Sequence, residues 1–401
     1  MLEPQAAHQS MPRALRGLLL RIISADNHCV SNPEISSILI GWHRSYSASR
    51  FNILEGRHPM QVFVSGATGR VGGTLARALL ERGWRVRTLA LPQDRNLAAT
   101  QGAGIDCVVG DLAELSAVRQ AMEGADAVFH MAAAISFQPQ ARDLIWSANV
   151  VGTYNVLRAA AQQSAKQPVR LVFASSDQVY PTRFARYRPT DELHPREPYT
   201  FYGLSKLLGE DMAAFYARSE PNLKISTAVF SHIEAAHELL DPNGEYSSAA
   251  FYVNGRVRNL KASSTHHAGA TSQAELRSIL DVLEPLVAPD EPLLLARDAD
   301  GKPHTQELVD VRDIVQGLLL IHDKPEAIGE TFNLAPATPV SLAEFIPYLA
   351  EATGRRYVEA RIPVELGRTH GSAAKARALL GYAPKYSLFD MVDEAAGRSA
   401  R

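Results

Sequence analysis

The chain has 401 residues, 46% of them hydrophobic, which is enough for one large domain or two smaller ones and excludes a disordered or fibrous protein. Its 41 Lys and Arg nearly balance 43 Asp and Glu, so the net charge of -2 provides no general attraction to nucleic acid or to an anionic membrane. The 2 cysteines lack the spacing of a disulfide framework or a zinc site. We therefore expect a small-molecule ligand.

Residues 1–59 differ in composition from the rest of the chain. They contain no Lys, six Arg and eight Ser, and their apolar stretches are short and interrupted. Such stretches neither span a bilayer nor form a secretory signal. We interpret residues 1–59 as a poorly ordered N-terminal extension, place the functional start at Met60, and expect a cytoplasmic protein.

Residues 61–83 predict a strand, a glycine-rich turn and a helix. The apolar run 62–64 precedes Gly66, Gly69 and Gly72, and apolar residues with helical spacing follow. In such a unit the glycines allow a tight turn, close approach of backbone N–H groups to a pyrophosphate, and close packing of the helix on the strand. In this context the GxxGxxG spacing predicts a dinucleotide site.

Apolar runs alternate with helical patterns further along the chain. They predict strands at 84–91, 105–109, 125–130 and 169–174, with one of the intervening helices around 144–161. This order indicates an α/β fold with a doubly wound parallel sheet, in which ligands lie at the carboxyl ends of the strands. Asp111 follows one strand end and is a candidate for the adenine side of a cofactor. His130 ends another strand and is expected to be a satisfied core residue.

The fifth predicted strand leads into a polar cluster that contains Ser176. Tyr202 and Lys206 follow, four residues apart on a predicted helix, and so lie on one face. The ammonium can lower the phenol pKa from about 10 toward neutrality, as a general acid or base requires. Together with the glycine loop, these residues predict a catalytic site.

These motifs in this order resemble the extended short-chain dehydrogenase/reductases of the NAD-dependent epimerase/dehydratase family, over about residues 60–394. This family implies a Rossmann-type sheet with a small C-terminal α/β substrate lobe. The segments that carry the resemblance are 65–72 (SGATGRVG), 110–112 (GDL), 130–133 (HMAA), 149–153 (NVVGT), 173–176 (FASS), 202–206 (YGLSK), 309–313 (VDVRD), 332–334 (FNL) and 379–384 (LLGYAP).

The resemblance implies roles for particular residues. Tyr202 would be the general acid or base, Lys206 would hold the nicotinamide ribose, and Ser176 would hydrogen-bond the reacting hydroxyl or carbonyl. Asn149 would support the helix near the site. NAD or NADP would exchange a hydride with a secondary alcohol carbon. The cofactor-binding residues implied are Gly66, Thr68, Gly69, Arg70, Val71, Gly72, Asp111, Leu112, Ala132, Ala133, Tyr202 and Lys206.

Departures from the family pattern restrict which substrates and reactions are expected. Gln306 stands where epimerases that use nucleotide sugars usually have an arginine that clamps the diphosphate, so a diphosphate sugar is disfavoured. Dehydratases carry Thr-Asp-Glu where this chain has Ser176-Asp177-Gln178, so β-elimination lacks its expected base. Asp177, Gln178 and Ser231 remain candidates for contacts with a polar substrate.

Cofactor choice is left open by the second strand, which ends without an acid for the adenosine ribose. Asp94 lies slightly late for that role. Arg70 or Arg95 could contact a 2′-phosphate, which favours NADP slightly over NAD.

The leading interpretation is an NAD(P)-dependent oxidoreductase acting on a sugar-like or other polar alcohol. A Rossmann domain is predicted at 60–232 and a substrate lobe mainly at 233–401, with segments that return to the Rossmann domain. The alternatives are a sugar epimerase that retains NAD and a non-catalytic NAD(P)-binding regulator. The adjacent histidines 266 and 267 do not predict a metal site, and the resemblance implies a homodimer through the Tyr202 helix.

Overall fold

A computed structural model describes residues 59–181, 184–244, 247–262, 272–363 and 370–398. The predicted N-terminal extension, except its last residue, and the histidine pair lie outside these ranges. The strands are β1 (Gln61–Ser65), β2 (Arg85–Ala90), β3 (Asp106–Val109), β4 (Ala127–His130), β5 (Val169–Ser176), β6 (Leu223–Phe230), β7 (His232–Glu234), β8 (Leu293–Arg297), β9 (Thr305–Gln306), β10 (Leu308–Asp310), β11 (Thr331–Leu334), β12 (Val340–Ser341) and β13 (Tyr357–Arg361). The helices are α1 (Arg70–Glu81), α2 (Leu97–Gly102), α3 (Leu115–Met122), α4 (Arg142–Ile145), α5 (Gly152–Ser164), α6 (Phe201–Ser219), α7 (Ser247–Ala250), α8 (Val253–Ala262), α9 (Gln273–Leu283), α10 (Val311–Asp323), α11 (Leu342–Thr353), α12 (Ala374–Leu380) and α13 (Leu388–Ala395).

A seven-stranded parallel sheet in the order β11-β6-β5-β4-β1-β2-β3 confirms the predicted doubly wound fold. The strand order reverses between β1 and β4, so the loops that leave their carboxyl ends diverge and open a crevice. Ser65 at the end of β1 lies beside His130 at the end of β4. The four strands predicted between residues 84 and 174 all form.

Both faces of this sheet are covered, because successive side chains of a strand point to opposite sides. In β1, Val62 and Val64 join a core with residues of α1 and α10. Phe63, between them, joins a separate core with residues of α3 and α5. All three side chains are fully buried, each contributing about 1.5–3 kcal/mol to folding.

The C-terminal part of the chain forms three two-stranded sheets and also contributes to the large one. The small sheets pair β10 with β7, β12 with β9 and β13 with β8. β11 returns to the edge of the large sheet beside β6. In the part of the chain that the structure describes, no helix is both long and apolar enough to cross a bilayer.

The helix predicted around 144–161 is interrupted. After α4, residues Trp146–Val151 form a π-helical turn, and regular α-helix resumes at α5. The turn contains Asn149, whose side chain bonds to two other segments of the chain. Apolar periodicity does not reveal this turn, because the contacts that hold it come from residues distant in sequence.

The glycine loop between β1 and α1 is packed too closely for side chains. Gly66 has a φ of 75°, and a Cβ there would lie 2.9 Å from the backbone of Ala132. A Cβ on Gly72 would lie 2.1 Å from the Gly66 carbonyl oxygen. The first turn of α1 therefore rests directly on the loop that precedes it.

Gly72→Ala is expected to lower the free energy of unfolding by about 1–3 kcal/mol, because the added methyl group forces the loop and the helix apart. Gly102→Ala is the matched control, since a Cβ at that position meets no heavy atom within 4 Å. Chemical denaturation of both variants measures the difference. Equal stability of the two variants would contradict the close packing described for Gly72.

Candidate active site

One cleft of about 1880 Å³ runs along the carboxyl ends of the sheet strands. It brings together all the predicted cofactor-binding and substrate-binding residues and three of the four predicted catalytic residues. Asn149, the fourth, lies behind the cleft wall. The residues gathered in the cleft are Gly66, Thr68, Gly69, Arg70, Val71, Gly72, Asp111, Leu112, Ala132, Ala133, Ser176, Asp177, Gln178, Tyr202, Lys206 and Ser231.

The glycine loop places the N-terminus of α1 in the cleft. Gly69 is the N-cap residue, and no side chain caps the helix there. The first N–H groups of a helix have no intrahelical acceptors, so this end suits an anion such as a pyrophosphate. A Cβ on Gly69 would meet only the Gly66 carbonyl, at 3.4 Å. Packing within the protein therefore does not require glycine at 69, whereas an anion approaching the backbone would.

The segment after β2 lies against this loop. Thr68 donates its hydroxyl to Asp94 Oδ2 at 2.7 Å, and the Asn96 side chain donates to the Thr68 carbonyl at 2.9 Å. Asp94 thus reaches the glycine loop although it follows the strand end by four residues. Its carboxylate is in a position to accept hydrogen bonds from an adenosine ribose.

Arg70 is already engaged by carboxylates, which counts against its predicted contact with a 2′-phosphate. Its guanidinium pairs with Glu238 at 2.6 Å and with Glu234 at 3.4 Å. It also donates to the carbonyl of Ile233 at 2.8 Å. Arg95, the other candidate for that contact, lines the cleft with an exposed side chain.

The loops after β3 and β4 complete the cofactor half of the cleft. Asp111 Oδ1 accepts the N–H of Ala113 at 2.9 Å, which fixes the turn after β3. The Ser65 hydroxyl accepts the N–H of Ala132 at 3.1 Å and lies 2.7 Å from Nδ1 of His130. These contacts hold the backbone of residues 132 and 133 at the cleft wall.

His130 is a satisfied core residue, as expected from its place in the sequence. Its Nε2 lies 2.9 Å from the hydroxyl of Thr153, and burial lowers its pKa to about 3. Since Ser65 Oγ accepts two backbone N–H groups, its own proton is left for Nδ1, and Nε2–H of the neutral ring donates to Thr153. His130 therefore supports the loop and does not face the cleft.

Tyr202 and Lys206 line the same cleft as Ser176 because α6 begins against the turn that follows β5. Thr200 caps α6 by accepting the N–H of Gly203 at 2.9 Å. A Cβ on Gly203 would lie 2.2 Å from the carbonyl oxygen of Gln178, so only glycine allows this approach. Sequence analysis did not single out Gly203, although it lies inside the Tyr-x-x-x-Lys motif.

Lys206 is buried at the bottom of the cleft, with 4% of its surface exposed. Its ammonium lies 4.8 Å from the centre of the Phe173 ring. Burial lowers the pKa of Lys206 to about 8, and the Glu210 carboxylate opposes that shift. Glu210 is itself fixed by the Ser175 hydroxyl at 2.5 Å and by Arg196 at 2.9 Å.

Asn149 connects the π-helical turn to the site. Its side chain accepts the N–H of Ala134 at 2.7 Å and donates to the Ala134 carbonyl at 3.0 Å. It also donates to the Ser205 hydroxyl at 3.0 Å, and Ser205 in turn donates to the carbonyl oxygen of Tyr202 at 2.7 Å. Asn149 thus joins the loop after β4 to the first turn of α6.

Polar groups beyond Ser176 form the other half of the cleft. Ser176 donates to Asp177 Oδ1 at 3.2 Å, and burial raises the pKa of Asp177. Glu307, buried behind it, accepts the N–H of Gly371 at 3.0 Å, while burial and the Asp177 charge raise its pKa to about 7. Ser231 Oγ and His232 Nδ1 are buried without a hydrogen-bond partner among the described residues. These two atoms are available to a polar ligand.

Several residues of this half were not identified from the sequence. Phe137 packs edge-on against Tyr202 with ring centres 6.2 Å apart. Gln138 donates to the carbonyl oxygen of Ala262 in α8, and Arg256 of the same helix lines the cleft. Their side chains carry no recognisable motif, so only the fold brings them to the site. Among the described residues, no group of three or more His, Cys, Asp or Glu side chains is arranged to hold a metal ion.

The sequence model of the NAD dependent epimerase/dehydratase family matches residues 62–335 of this chain. Uronate dehydrogenase of Pseudomonas syringae pv. tomato is 34% identical over 157 residues, 39% of this chain and 54% of that protein. The chain therefore spans about half the length of this curated relative. L-arabinose 1-dehydrogenase (NAD(P)(+)) of Haloferax volcanii is 30% identical over 208 residues, 48% of this chain and 75% of that protein.

Among solved structures, a short-chain dehydrogenase/reductase superfamily protein from Agrobacterium tumefaciens with bound NAD is 33% identical to this chain. Its TM-score is 0.75, and the match covers 84% of this chain and 96% of that one.

The free energy of unfolding of the wild-type protein is expected to rise with pH relative to that of the Lys206→Met variant. The folded protein holds the Lys206 pKa at about 8, against 10.5 in the unfolded chain, so between these pH values the unfolded state binds more protons. The full effect is about 3 kcal/mol, the energy of this pKa difference. Denaturant unfolding of both proteins from neutral pH to pH 10.5 measures it.

Lys224→Met, at an exposed position in β6, controls for the loss of one lysine. If the stability difference between Lys206→Met and wild type did not change with pH, the ammonium of Lys206 would not be desolvated in the folded protein.

Proposed function

This chain belongs to the NAD-dependent epimerase/dehydratase family, and we propose that it is an NAD(P)-dependent oxidoreductase acting at a secondary hydroxyl or keto group of a polar alcohol. The observation that carries the proposal is that Ser176, Tyr202 and Lys206 line the same cleft as the glycine loop. Residues 60–232 would bind the nucleotide, and residues 233–401 would mainly bind the substrate.

In this proposal each of the three side chains has a separate task. Tyr202 takes or gives the proton at the substrate oxygen, and Ser176 hydrogen-bonds that oxygen. Lys206 holds the nicotinamide ribose, and its positive charge lowers the pKa of the Tyr202 phenol. The bound nucleotide supplies or accepts the hydride. Asn149 positions the first turn of α6 through Ser205.

A polar, sugar-like substrate fits the other half of the cleft. Ser231 Oγ and His232 Nδ1 are buried and lack partners among the described residues, and unsatisfied polar atoms of this kind favour a ligand with hydroxyl groups. The relatives named for uronate and L-arabinose act on compounds of this class. Gln178 stands where a dehydratase is expected to have a glutamate. Gln306 stands where an arginine would bind a diphosphate.

NAD is the nucleotide that the cleft favours. The Asp94 carboxylate lies at the glycine loop. There it can accept hydrogen bonds from the ribose hydroxyls, and its negative charge would repel a 2′-phosphate. Arg70 is neutralised by Glu234 and Glu238. This conclusion replaces the slight sequence-based preference for NADP.

A homodimer through α6 is part of the proposal. Leu204 and Phe215 of α6 are 39% and 58% exposed, and Tyr154 of the neighbouring α5 is 42% exposed. Exposed apolar side chains on two adjacent helices suit a protein interface.

Tyr202→Phe is expected to reduce turnover by about 100- to 10,000-fold, because the general acid or base is lost, while NAD affinity changes little. The assay follows net NADH formation from NAD and candidate sugars, with NAD binding measured by titration. Tyr199→Phe, three residues earlier, outside α6 and half exposed, is the control and is expected to be fully active.

Undiminished turnover by Tyr202→Phe would remove Tyr202 from the mechanism. If the wild type interconverts sugar stereoisomers without net NADH formation, the protein is an epimerase that retains its nucleotide. If the wild type binds neither NAD nor NADP, the proposed function itself is wrong.

Asp94→Asn is expected to shift the ratio of NAD to NADP affinity toward NADP by about tenfold, because a charged hydrogen bond to the ribose and a repulsive charge are both removed. Asp106→Asn, at an exposed carboxylate of β3 paired with Arg87, serves as control. Titration with each nucleotide gives the two affinities. An unchanged ratio would show that Asp94 does not contact the adenosine ribose.

A further inference from the structure

One face of helix α8 lines the substrate half of the cleft. The cleft-lining residues of this helix are Arg256, Asn259 and Ala262, which are spaced three apart and therefore lie on one side. An adjacent side, with Val253, Val257 and Leu260, packs into the core of the C-terminal part. Arg256 is thus directed to the cleft by the amphipathic pattern of its own helix.

This face of α8 is tied to the catalytic end of the cleft. The carbonyl oxygen of Ala262 accepts a hydrogen bond of 2.5 Å from the side chain of Gln138. The preceding residue, Phe137, packs edge-on against the ring of Tyr202. The helix that carries Arg256 is therefore connected through one short segment to the residue that acts on the substrate oxygen.

Within the described ranges of the chain, the guanidinium of Arg256 has no counter-charge. Its side chain is partly buried and forms no hydrogen bond or ion pair with any described residue. Burial lowers the pKa of Arg256, and no carboxylate opposes that shift. Other arginines in the cleft differ: Arg70 pairs with two glutamates, and Arg312 pairs with Asp310 and Glu394.

Its surroundings make an unpaired charge on Arg256 unfavourable for the stability of the fold. Apolar residues, among them Phe251, Ile279 and Ile362, also line the cleft. A charge withdrawn from water without a partner destabilises the protein, whereas an anionic ligand recovers that cost through charge-assisted hydrogen bonds. The Glu275 carboxylate also lines the cleft, but it accepts the backbone N–H of Ser272 at 2.9 Å. Gln306 is neutral and supplies no charge.

We propose that Arg256 binds an anionic group of the substrate, a carboxylate or a phosphate, while Tyr202 acts on a hydroxyl elsewhere in the same molecule. This inference rests on the proposed function and narrows its substrate class from polar alcohols to hydroxy acids or alcohol phosphates. The planar fork of a guanidinium matches either group through two parallel hydrogen bonds.

The test compares three sugars that differ in charge: D-glucose, D-glucuronate and D-glucose 6-phosphate. Calorimetric titration of the full chain saturated with NAD gives their affinities. The wild type should bind at least one of the anionic sugars about tenfold to a hundredfold more tightly than glucose, and Arg256→Gln should lose that preference while binding NAD normally. Arg256→Lys should keep part of it, because the charge remains but the fork does not.

Arg258→Gln is the matched control. Arg258 belongs to the same helix but is exposed and bonds to Asn243 and Pro242 outside the cleft. This variant should keep the wild-type preference. A preference for glucuronate would assign the site to a carboxylate, and one for glucose 6-phosphate would assign it to a phosphate.

Two results would overturn the inference: no anionic sugar binds the wild type better than glucose, or Arg256→Gln keeps the full preference, including the case in which it loses affinity for all three sugars equally. That equal loss would mean that Arg256 only shapes the cleft. Failure of NAD to bind would count against the proposed function instead, and the same titrations without nucleotide would still decide the role of Arg256.

Discussion

The close contact between α6 and the end of β5 is the constraint on which the candidate site depends. Gly203 allows the first turn of α6 to lie against the carbonyl of Gln178, and no residue with a side chain fits there. This contact places Tyr202 and Lys206 in the same cleft as Ser176, although the serine belongs to a different element. A second close contact, between Gly72 and the Gly66 carbonyl, sets the N-terminus of α1 at the other end of the same cleft. Backbone proximity thus determines where the chemistry can occur.

The polar groups around the cleft divide into those that are satisfied and those that are not. His130, Ser65 and Asn149 have complete sets of partners and hold the loops that form the walls. Ser231 Oγ and His232 Nδ1 are buried without partners among the described residues. Because a buried polar atom without a partner destabilises the fold, such atoms mark the places where a ligand is expected.

The charged groups show the same division. Arg70 and Arg312 are balanced by carboxylates and contribute to structure. Lys206 is desolvated at the bottom of the cleft, which lowers its pKa, and Arg256 lines the cleft without a counter-charge from any residue that the structure describes. Phe173 and Glu210 offset part of the desolvation of Lys206, whereas Arg256 has no such partner among the described residues. Desolvated cations reduce stability, and such groups are common where binding is selected over stability.

The sequence by itself determined the parallel sheet, the glycine loop and the Tyr202–Lys206 pair, because each depends on local spacing: alternating apolar runs, three glycines between a strand and a helix, and two residues one helical turn apart. Only the tertiary structure decided that Arg70 is held by Glu234 and Glu238, that Asp94 reaches the glycine loop, and that a π-helical turn interrupts the helix at Asn149. It alone placed Arg256 in the cleft. Each of these features arises from contacts between residues far apart in the chain, and such contacts leave no periodic pattern in the sequence.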